Sequence, residues 1–137
     1  MSATTSTPVI GIDVGSTTVK CTVVDPATLS ILWSRYRRHE TRQAQALGQM
    51  LEAAEAEYPE LTGGGGQAFI TGSGAGPLAE AVGACFVQEV NAVTLAVEQL
   101  HPEVRSVVEL GGQDAKIILF QDDPAGGVRR VVTSMND

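Results

Sequence analysis

Three segments with apolar patterns typical of strands open the chain and lie close together. The first, from Pro8 to Val14, is almost continuously apolar and ends at a glycine, which is typical of a strand buried on both faces of a sheet. The next two, Thr17 to Asp25 and Leu29 to Tyr36, follow at once and are separated by an Asp-Pro turn signal. The pattern therefore predicts a meander of three strands.

Apolar residues then recur at a spacing of three and four, which is the period of a helix. This spacing holds from Thr41 to Tyr58, where a proline ends the pattern, and again on the valine-rich face of Glu89 to Leu100. Between these two predicted helices, Gln67 to Thr71 is typical of a short strand. A glycine-rich turn, a predicted helix from Pro77 to about Gly83 and a two-residue strand at 86–87 come after it.

The last part of the chain repeats the pattern of the first. Val104 to Leu110 is typical of a buried strand, two glycines break it, and Ala115 to Phe120 with Gly127 to Thr133 predicts a hairpin. Residues 8–36 and 104–133 are therefore interpreted as weak repeats of one unit, a strand, a glycine turn and two further strands. In this interpretation the second copy lacks helices of its own.

Composition narrows the classes of function. The 137 residues suffice for one domain, or for one domain and a fragment of another. A net charge of −7 opposes non-specific binding to nucleic acid or anionic lipid, and an aromatic content of 4% disfavours stacking on bases. The sequence shows no signal peptide pattern and no apolar run approaching the ~20 residues that cross a bilayer. We therefore predict a cytoplasmic protein with no membrane span and no nucleic-acid partner.

The two cysteines, Cys21 and Cys85, are far apart in sequence and show no CxxC spacing. Neither a disulfide framework nor a metal site can be built from them alone. We expect both to be buried free thiols.

A first candidate site follows the first predicted strand. Asp13 stands near the strand end and precedes a tight turn with the sequence Gly15-Ser16-Thr17-Thr18. Such a turn can direct backbone N–H and hydroxyl groups at phosphate oxygens, while the carboxylate holds a hydrated Mg²⁺ against them. It matches neither familiar glycine-rich phosphate loop, because a strand rather than a helix follows the glycine. The alternative is an ordinary polar hairpin turn, since turns favour the same residue types.

The second candidate site has the same form. Glu109 stands near a predicted strand end before the turn Gly111-Gly112-Gln113-Asp114. We expect the two turns to face each other and hold a polyphosphate from both sides, with Asp13 and Glu109 sharing the metal shell. The only two lysines, Lys20 and Lys116, lie seven residues after these carboxylates. They either neutralise phosphate charge or occupy matching solvent positions of two repeated hairpins.

Three further features each have two interpretations. Glu89, at the start of a predicted helix, either positions a water for attack on a phosphate or is an ordinary acidic residue of a first helical turn. The glycine-rich turn from Gly72 to Pro77 either binds an anion at a helix start or needs no ligand. The largest basic cluster consists of Arg35, Arg37, Arg38, His39 and Arg42. It either is a docking site, for an acidic partner or a CoA-like phosphate, or forms a solvated face.

Four ordered segments carry a family resemblance. They are Gly11-Ile-Asp-Val-Gly-Ser-Thr-Thr-Val-Lys20, Ile70-Thr-Gly-Ser-Gly74, Phe86-Val-Gln-Glu-Val90 and Val108-Glu-Leu-Gly-Gly-Gln-Asp-Ala-Lys-Ile117. Together they closely resemble the ATPases that activate 2-hydroxyacyl-CoA dehydratases and benzoyl-CoA reductases, within the actin, sugar kinase and heat-shock chaperone superfamily. The resemblance implies an α/β fold, a ribonuclease H-like (actin-like ATPase) domain with a mixed sheet and flanking helices. It also implies a first domain with its connecting helix at 8–101, and the first strands of a second such domain at 104–137. We expect residues 1–7 to be a disordered tail.

The resemblance also implies roles for single residues. Those similar to the first phosphate turn are Asp13, Gly15, Ser16 and Thr17. Those similar to the second are Glu109, Gly111, Gly112 and Gln113. From their positions at or just after these turns, Thr18, Lys20 and Lys116 are also predicted to bind the nucleotide. Asp13, Gln113 and Glu89 are implied as catalytic, with Glu89 similar to the water-positioning residue of the connecting helix. Asp13 and Glu109 are implied to hold Mg²⁺ through water, although the superfamily usually has Asp where this sequence has Glu109.

The cofactors and partners implied by the resemblance are those of an electron-transfer activator. They are ATP or ADP with Mg²⁺, a four-iron four-sulfur cluster between the subunits of a homodimer, reduced ferredoxin or flavodoxin as donor, and a 2-hydroxyacyl-CoA dehydratase or benzoyl-CoA reductase-like acceptor. Family members bind the cluster through cysteines just beyond a Met-Asn-Asp-like stretch, and this sequence stops at Asp137. We therefore expect a fragment of a longer parent that lacks the cluster ligands and is inactive alone. The alternatives are a small-molecule kinase of the same superfamily, for which no general base is evident, and a non-catalytic docking or dimerisation module.

Overall fold

The structure, a computed structural model, describes residues 6–63 and 65–126 and the backbone of 130–136. The chain divides into two compact units, Met1–Val87 and Gln88–Asp137. Each unit has its own β-sheet.

The first unit is built on five strands and two α-helices. The strands are β1 (Val9–Val14), β2 (Thr18–Val24), β3 (Ile31–Arg38), β4 (Gln67–Thr71) and β5 (Cys85–Phe86). The helices are α1 (Gln43–Glu57) and α2 (Gly76–Ala79), and a 3₁₀ turn spans Pro59–Leu61. The sheet order is β3-β2-β1-β4-β5. The first three strands pair antiparallel, whereas β4 runs parallel to β1 and β5 parallel to β4. The predicted meander is confirmed, and the sheet is mixed.

One face of this sheet carries the core. Ile12 lies opposite both Cys21 and Ile70, so side chains of three neighbouring strands meet on one face. This face packs with the buried residues of α1, which are Ala46, Leu47, Met50 and Ala54. Along β1 the alternate residues are only partly buried, so the prediction of a strand buried on both faces is wrong. An antiparallel meander is stable with one covered face, and β-branched residues alone do not show how many faces are covered.

Three boundaries differ from the sequence prediction, two of them because of backbone conformation. The helix α1 begins at Gln43 rather than at Thr41, because Glu40 and Thr41 have φ angles of 49° and 67°. These angles are left-handed and are incompatible with a right-handed helix. The strand β3 begins at Ile31, after Leu29 with a φ of 60°. The helix α2 is only four residues long, and turns follow it as far as Gly83.

The second unit contains α3 (Glu89–Leu100) and three strands, β6 (Ser106–Leu110), β7 (Ala115–Gln121) and β8 (Arg130–Asn136). The strands form an antiparallel sheet in the order β6-β7-β8. The predicted hairpin is present, with its second strand shifted towards the end of the chain; residues 127–129 of the prediction lie outside the described residues. The helix α3 groups with this unit, and the predicted domain limits stay a prediction.

Candidate functional site

The turn between β1 and β2 is a tight hairpin closed at a glycine. The Gly15 N–H donates to the carbonyl oxygen of Thr18 at 2.8 Å, which leaves two residues at the tip. Asp13 lies directly opposite Lys20 in the ladder, and Lys20 Nζ donates to Asp13 Oδ2 at 3.0 Å. The side chain of Lys20 is 48% exposed. The carboxylate therefore has a solvent-exposed counter-ion rather than a buried partner.

The turn between β6 and β7 has the same geometry. The Gly111 N–H donates to the carbonyl oxygen of Asp114 at 2.8 Å. Glu109 lies directly opposite Lys116 in the ladder, as Asp13 lies opposite Lys20. The two hairpins thus share the position of the carboxylate, of the lysine and of the closing hydrogen bond.

Lys116 differs from Lys20 because it is buried. Its side chain is 7% exposed, and Nζ lies 2.6 Å from Glu89 Oε2 and 3.9 Å from Glu109 Oε2. Burial by itself lowers the pKa of Lys116, but the hydrogen bond and charge of Glu89, with the charges of Glu109 and Asp114, raise the pKa above its ordinary value. The interpretation of both lysines as solvent positions is therefore wrong for Lys116. Its ammonium fixes the carboxylate of Glu89 at the start of α3.

One oxygen of this cluster has no hydrogen-bond partner. Glu109 Oε2 is buried and accepts no hydrogen bond from the described residues, although the Lys116 ammonium lies 3.9 Å away. A buried carboxylate oxygen is normally satisfied by protein, water or an ion. Mg²⁺ commonly takes one or two carboxylates and completes its shell with water and phosphate oxygens, so Glu109 fits such an ion. Within the described residues no group of three or more His, Cys, Asp or Glu side chains is arranged to hold a metal by itself.

The glycine-rich segment after β4 packs against the end of β1. Gly72 has a φ of 105°, and a Cβ there would lie 2.2 Å from the carbonyl oxygen of Val14. The Gly74 N–H donates to the same carbonyl at 2.8 Å. These glycines permit the close approach of two backbones, and the helix that follows has a single turn. The structure therefore explains them without a ligand.

A second unpaired oxygen lies beside Asp13. Thr71 is opposite Asp13 in the parallel ladder between β1 and β4, and its Oγ1 is buried without a hydrogen-bond partner among the described residues. The sequence analysis did not single out Thr71, because its position opposite Asp13 depends on the pairing of β4 with β1.

His39 lies behind the first turn and not on a solvated face. It is 5% exposed, and Nε2 is 3.0 Å from the carbonyl oxygen of Gly15. The Thr41 N–H donates to Nδ1 at 3.1 Å, and the His39 N–H donates to the carbonyl oxygen of Thr17 at 3.1 Å. The sequence signal was slight, since only the return of β3 to the first turn brings this residue there.

The arginines of the predicted basic cluster have separate surroundings. The Arg35 guanidinium lies 5.6 Å from the centre of the Trp33 ring, and Arg37 hydrogen-bonds to the side chain of Gln49. A shallow pocket of about 170 Å³ is lined by Arg37, Arg38, His39, Glu40, Arg42, Gln45 and Ala46. Docking of an acidic partner at this cluster stays a prediction.

The two cysteines have opposite environments. Cys21 is buried in the core, where burial raises its pKa to about 12, as expected of an inert thiol. Cys85 is exposed, so the prediction that both thiols are buried is wrong for Cys85. It lies on the two-residue strand β5, at the edge of the sheet, where little covers a side chain.

No helix in the described part of the chain combines the length and the apolar character that a membrane crossing requires.

The chain matches no protein-family model and no curated protein sequence. Its structure is similar to that of the activator of 2-hydroxyisocaproyl-CoA dehydratase from Clostridium difficile, solved with bound ADPNP. The TM-score is 0.72 at 22% identity, over 93% of this chain and 45% of that one. Component A of the (R)-2-hydroxyglutaryl-CoA dehydratase from Acidaminococcus fermentans also gives a TM-score of 0.72, at 25% identity, over 96% of this chain and 48% of that one. A PPX-GPPA enzyme of Aquifex aeolicus gives 0.53 at 21% identity, over 92% of this chain and 51% of that one.

These similarities confirm the resemblance to dehydratase activators and the α/β fold of the actin-like ATPases, with a mixed sheet and flanking helices. The chain spans about half the length of the structures that it matches.

Proposed function

We propose that this chain supplies phosphate-binding turns of an ATPase that activates a 2-hydroxyacyl-CoA dehydratase or a benzoyl-CoA reductase-like enzyme. One observation carries the proposal. Two hairpins repeat the same closing hydrogen bond of 2.8 Å at a glycine, and each places a carboxylate opposite a lysine. The similarity to an activator solved with bound ADPNP supports a nucleotide as the ligand.

The turn residues would bind the phosphates through backbone and hydroxyl groups. In the first turn Ser16 and Thr17 lie at the tip, and Thr18 follows them. Their N–H and hydroxyl groups can donate to phosphate oxygens, and Gly15 lets the backbone approach closely. In the second turn, Gly111, Gly112 and Gln113 would do the same. Lys20, which is exposed beside the first turn, would add positive charge near the phosphates.

Asp13 and Glu109 would hold Mg²⁺ through water. Mg²⁺ bound there would neutralise charge on the phosphates and orient them for displacement. Asp13 now pairs with an exposed lysine, which the ion can replace at little cost because exposed ion pairs are weak. Glu109 has a buried oxygen that accepts no hydrogen bond from the described residues and has only the Lys116 ammonium at 3.9 Å as a counter-charge.

Glu89 would orient the attacking water. Its carboxylate is held by Lys116 at 2.6 Å, which keeps the side chain in one direction. The carboxylate oxygen that Lys116 does not hold can accept a hydrogen bond from water. Lys116 would thus act by fixing Glu89 rather than by touching the nucleotide.

The wider role would be to couple ATP hydrolysis to low-potential electron transfer. In this proposal the electron donor is reduced ferredoxin or flavodoxin and the acceptor is the dehydratase. A four-iron four-sulfur cluster, which would be bound in a homodimer of the full-length protein, would supply the redox chemistry. Cys21 does not fit as a cluster ligand, because its thiol is buried with a raised pKa. No other step of the proposal depends on the cluster.

Binding of MgADPNP to the ¹⁵N-labelled chain tests the first part of the proposal. We expect amide shifts at the turn residues and a Kd weaker than about 10 μM, since a ligand is bound tightly only when most of its surface is enclosed. Asp13→Ala is expected to weaken Mg²⁺-dependent binding at least about tenfold, equivalent to about 1.4 kcal/mol. Glu55→Ala, which removes the same charge from an exposed position on α1, serves as the control. Equal binding by both variants would remove Asp13 from the site.

Hydrolysis is tested in a full-length protein that carries this sequence. Asp13→Ala is expected to abolish Mg²⁺-dependent release of phosphate from ATP. Transfer of the γ-phosphate to a sugar or acyl acceptor instead of water would favour the kinase alternative. Partner binding without hydrolysis would favour the docking module.

A further inference from the structure

The buried imidazole of His39, the residue that follows β3, contacts the turn between β1 and β2. His39 contacts the turn twice, through Nε2 to the Gly15 carbonyl at 3.0 Å and through its own N–H to the Thr17 carbonyl at 3.1 Å. The ring is 5% exposed, so water does not compete freely for these groups. Gly15 and Thr17, which flank Ser16, are therefore both held by hydrogen bonds to His39.

The hydrogen bonds determine which ring nitrogen carries the proton. The Thr41 backbone N–H can only donate, so Nδ1, 3.1 Å from it, must be the acceptor. The Gly15 carbonyl can only accept, so Nε2 must carry the hydrogen. His39 is therefore the neutral Nε2–H tautomer, and it has no other ring donor or acceptor left.

Fixing the Gly15 carbonyl also fixes the direction of one N–H group. Because the peptide bond is planar and trans, the carbonyl of Gly15 and the N–H of Ser16 point in opposite directions. With this carbonyl held towards His39, the Ser16 N–H points away from it. A donor at the tip of the turn is thus held in one direction before any ligand arrives.

The backbone beside His39 is strained. The Arg42 N–H donates to the His39 carbonyl at 2.8 Å and closes a turn in which Glu40 and Thr41 have φ angles of 49° and 67°. Such a turn normally uses Gly, Asn or Asp, because a left-handed conformation is unfavourable for other residues. Strain of this kind persists only where surrounding contacts impose it, and it concentrates at functional sites. Here the strained turn places the Thr41 N–H, which donates to Nδ1, against the ring.

We propose that His39 is a positioning residue that orients the Ser16 N–H as a donor to a phosphate oxygen. The proposal rests on the phosphate-binding function proposed above and adds to it a residue that touches the turn but not the ligand. Preorganised donors bind more strongly because they lose less freedom on binding. Loss of the Nε2–H donor should therefore weaken phosphate binding even where the chain stays folded.

Two substitutions separate positioning from packing. In His39→Gln the side-chain amide can reach the Gly15 carbonyl in place of Nε2–H, whereas His39→Leu fills the space without a donor. His101→Leu is the matched control, because the only other histidine of the chain is 66% exposed at the end of α3. Mg-pyrophosphate serves as the probe, since it presents the phosphates without requiring an adenosine site.

Binding is measured for all four proteins at a temperature where each is folded by circular dichroism. We expect His39→Leu to weaken Mg-pyrophosphate binding about tenfold, the value of one hydrogen bond in a buried setting, and His39→Gln to recover most of the loss. The Ser16 amide resonance should shift in the leucine variant and return towards its original position in the glutamine variant. Equal affinity in the leucine variant and the wild type would overturn the proposal.

The tautomer supplies a readout that needs no ligand and no substitution at His39. The ¹⁵N shifts of the His39 ring should show protonated Nε2 and unprotonated Nδ1, and the His101 variant identifies which signals belong to His39. A protonated Nδ1 would overturn the proposal. A wild-type chain that does not bind Mg-pyrophosphate contradicts the proposed function instead, and the tautomer and the Ser16 amide then decide whether His39 orients the turn. If the leucine variant does not fold, the tautomer decides the matter, because it is measured on the wild-type chain.

Discussion

At the scale of single residues, the buried thiol of Cys21 makes the first unit sensitive to alkaline pH. Burial raises the pKa of Cys21 from 9.0 to about 12. Above pH 9 the unfolded chain loses this proton while the native chain keeps it, so the unfolded state binds fewer protons. The free energy of unfolding therefore falls as the pH rises from 9 to about 12.

We expect the loss between pH 8 and pH 10.5 to be about 1–2 kcal/mol larger with Cys21 present than in Cys21→Ala. Urea titrations at the two pH values measure it, with both proteins carrying Cys85→Ala because that thiol is exposed and can oxidise. Lys116, whose pKa is raised, also loses stabilisation at alkaline pH, but it does so equally in both proteins. The same pH dependence with and without Cys21 would show that its thiol is solvated.

At the scale of elements, the junction between β4 and α2 is set by a glycine that touches the end of β1. Gly72→Ala combines a φ of 105° with a Cβ 2.2 Å from the Val14 carbonyl oxygen, which is backbone and cannot rotate away. The loop must therefore move off the strand end beside Asp13. We expect a loss of about 2–4 kcal/mol in the free energy of unfolding, measured by urea titration.

Gly83→Ala is the control for this prediction. Gly83 also has a positive φ, of 65°, but nothing lies within 4 Å of a Cβ there. Only the conformational cost of about 1–2 kcal/mol applies to it. Losses of equal size in the two variants would mean that the contact with β1 is relieved easily.

The strands, helices and turns differ in how well the sequence alone predicts them. Strands and helices with a clear hydrophobic period, such as β1 and α1, were predicted within a few residues of their observed ends. The ends themselves were missed where non-glycine residues such as Thr41 adopt a left-handed conformation, since propensity gives no warning of it. The repeated turns were found because they are local in sequence. Three contacts were not predicted, because each depends on which strands and helices lie side by side. They are the contact of His39 with the first turn, the position of Thr71 opposite Asp13, and the ion pair of Lys116 with Glu89.

At the scale of the whole molecule, the second unit leaves one face of its sheet apolar. Val108 lies opposite Ile117 in the ladder, so the two side chains share a face, and Leu110 and Leu119 lie on the same face by alternation. All four are exposed, from 43% for Ile117 and Leu119 to 79% for Leu110. The opposite face instead carries the buried residues Lys116, Ile118 and Phe120. A contiguous apolar face of this kind favours association.

We therefore expect the chain to self-associate as its concentration rises. Sedimentation equilibrium should show an apparent mass that increases with concentration, together with binding of an apolar dye such as ANS. The double variant Ile117→Thr and Leu119→Thr should reduce both effects, because threonine keeps the β-branched shape preferred in strands while removing apolar surface. Ile31→Thr removes an isoleucine that is 69% exposed on the edge strand β3 and serves as the control. A single mass at all concentrations, or equal effects of the double variant and the Ile31→Thr control, would show that this face does not drive association. Exposed apolar area alone would then be a poor guide to contact in this chain.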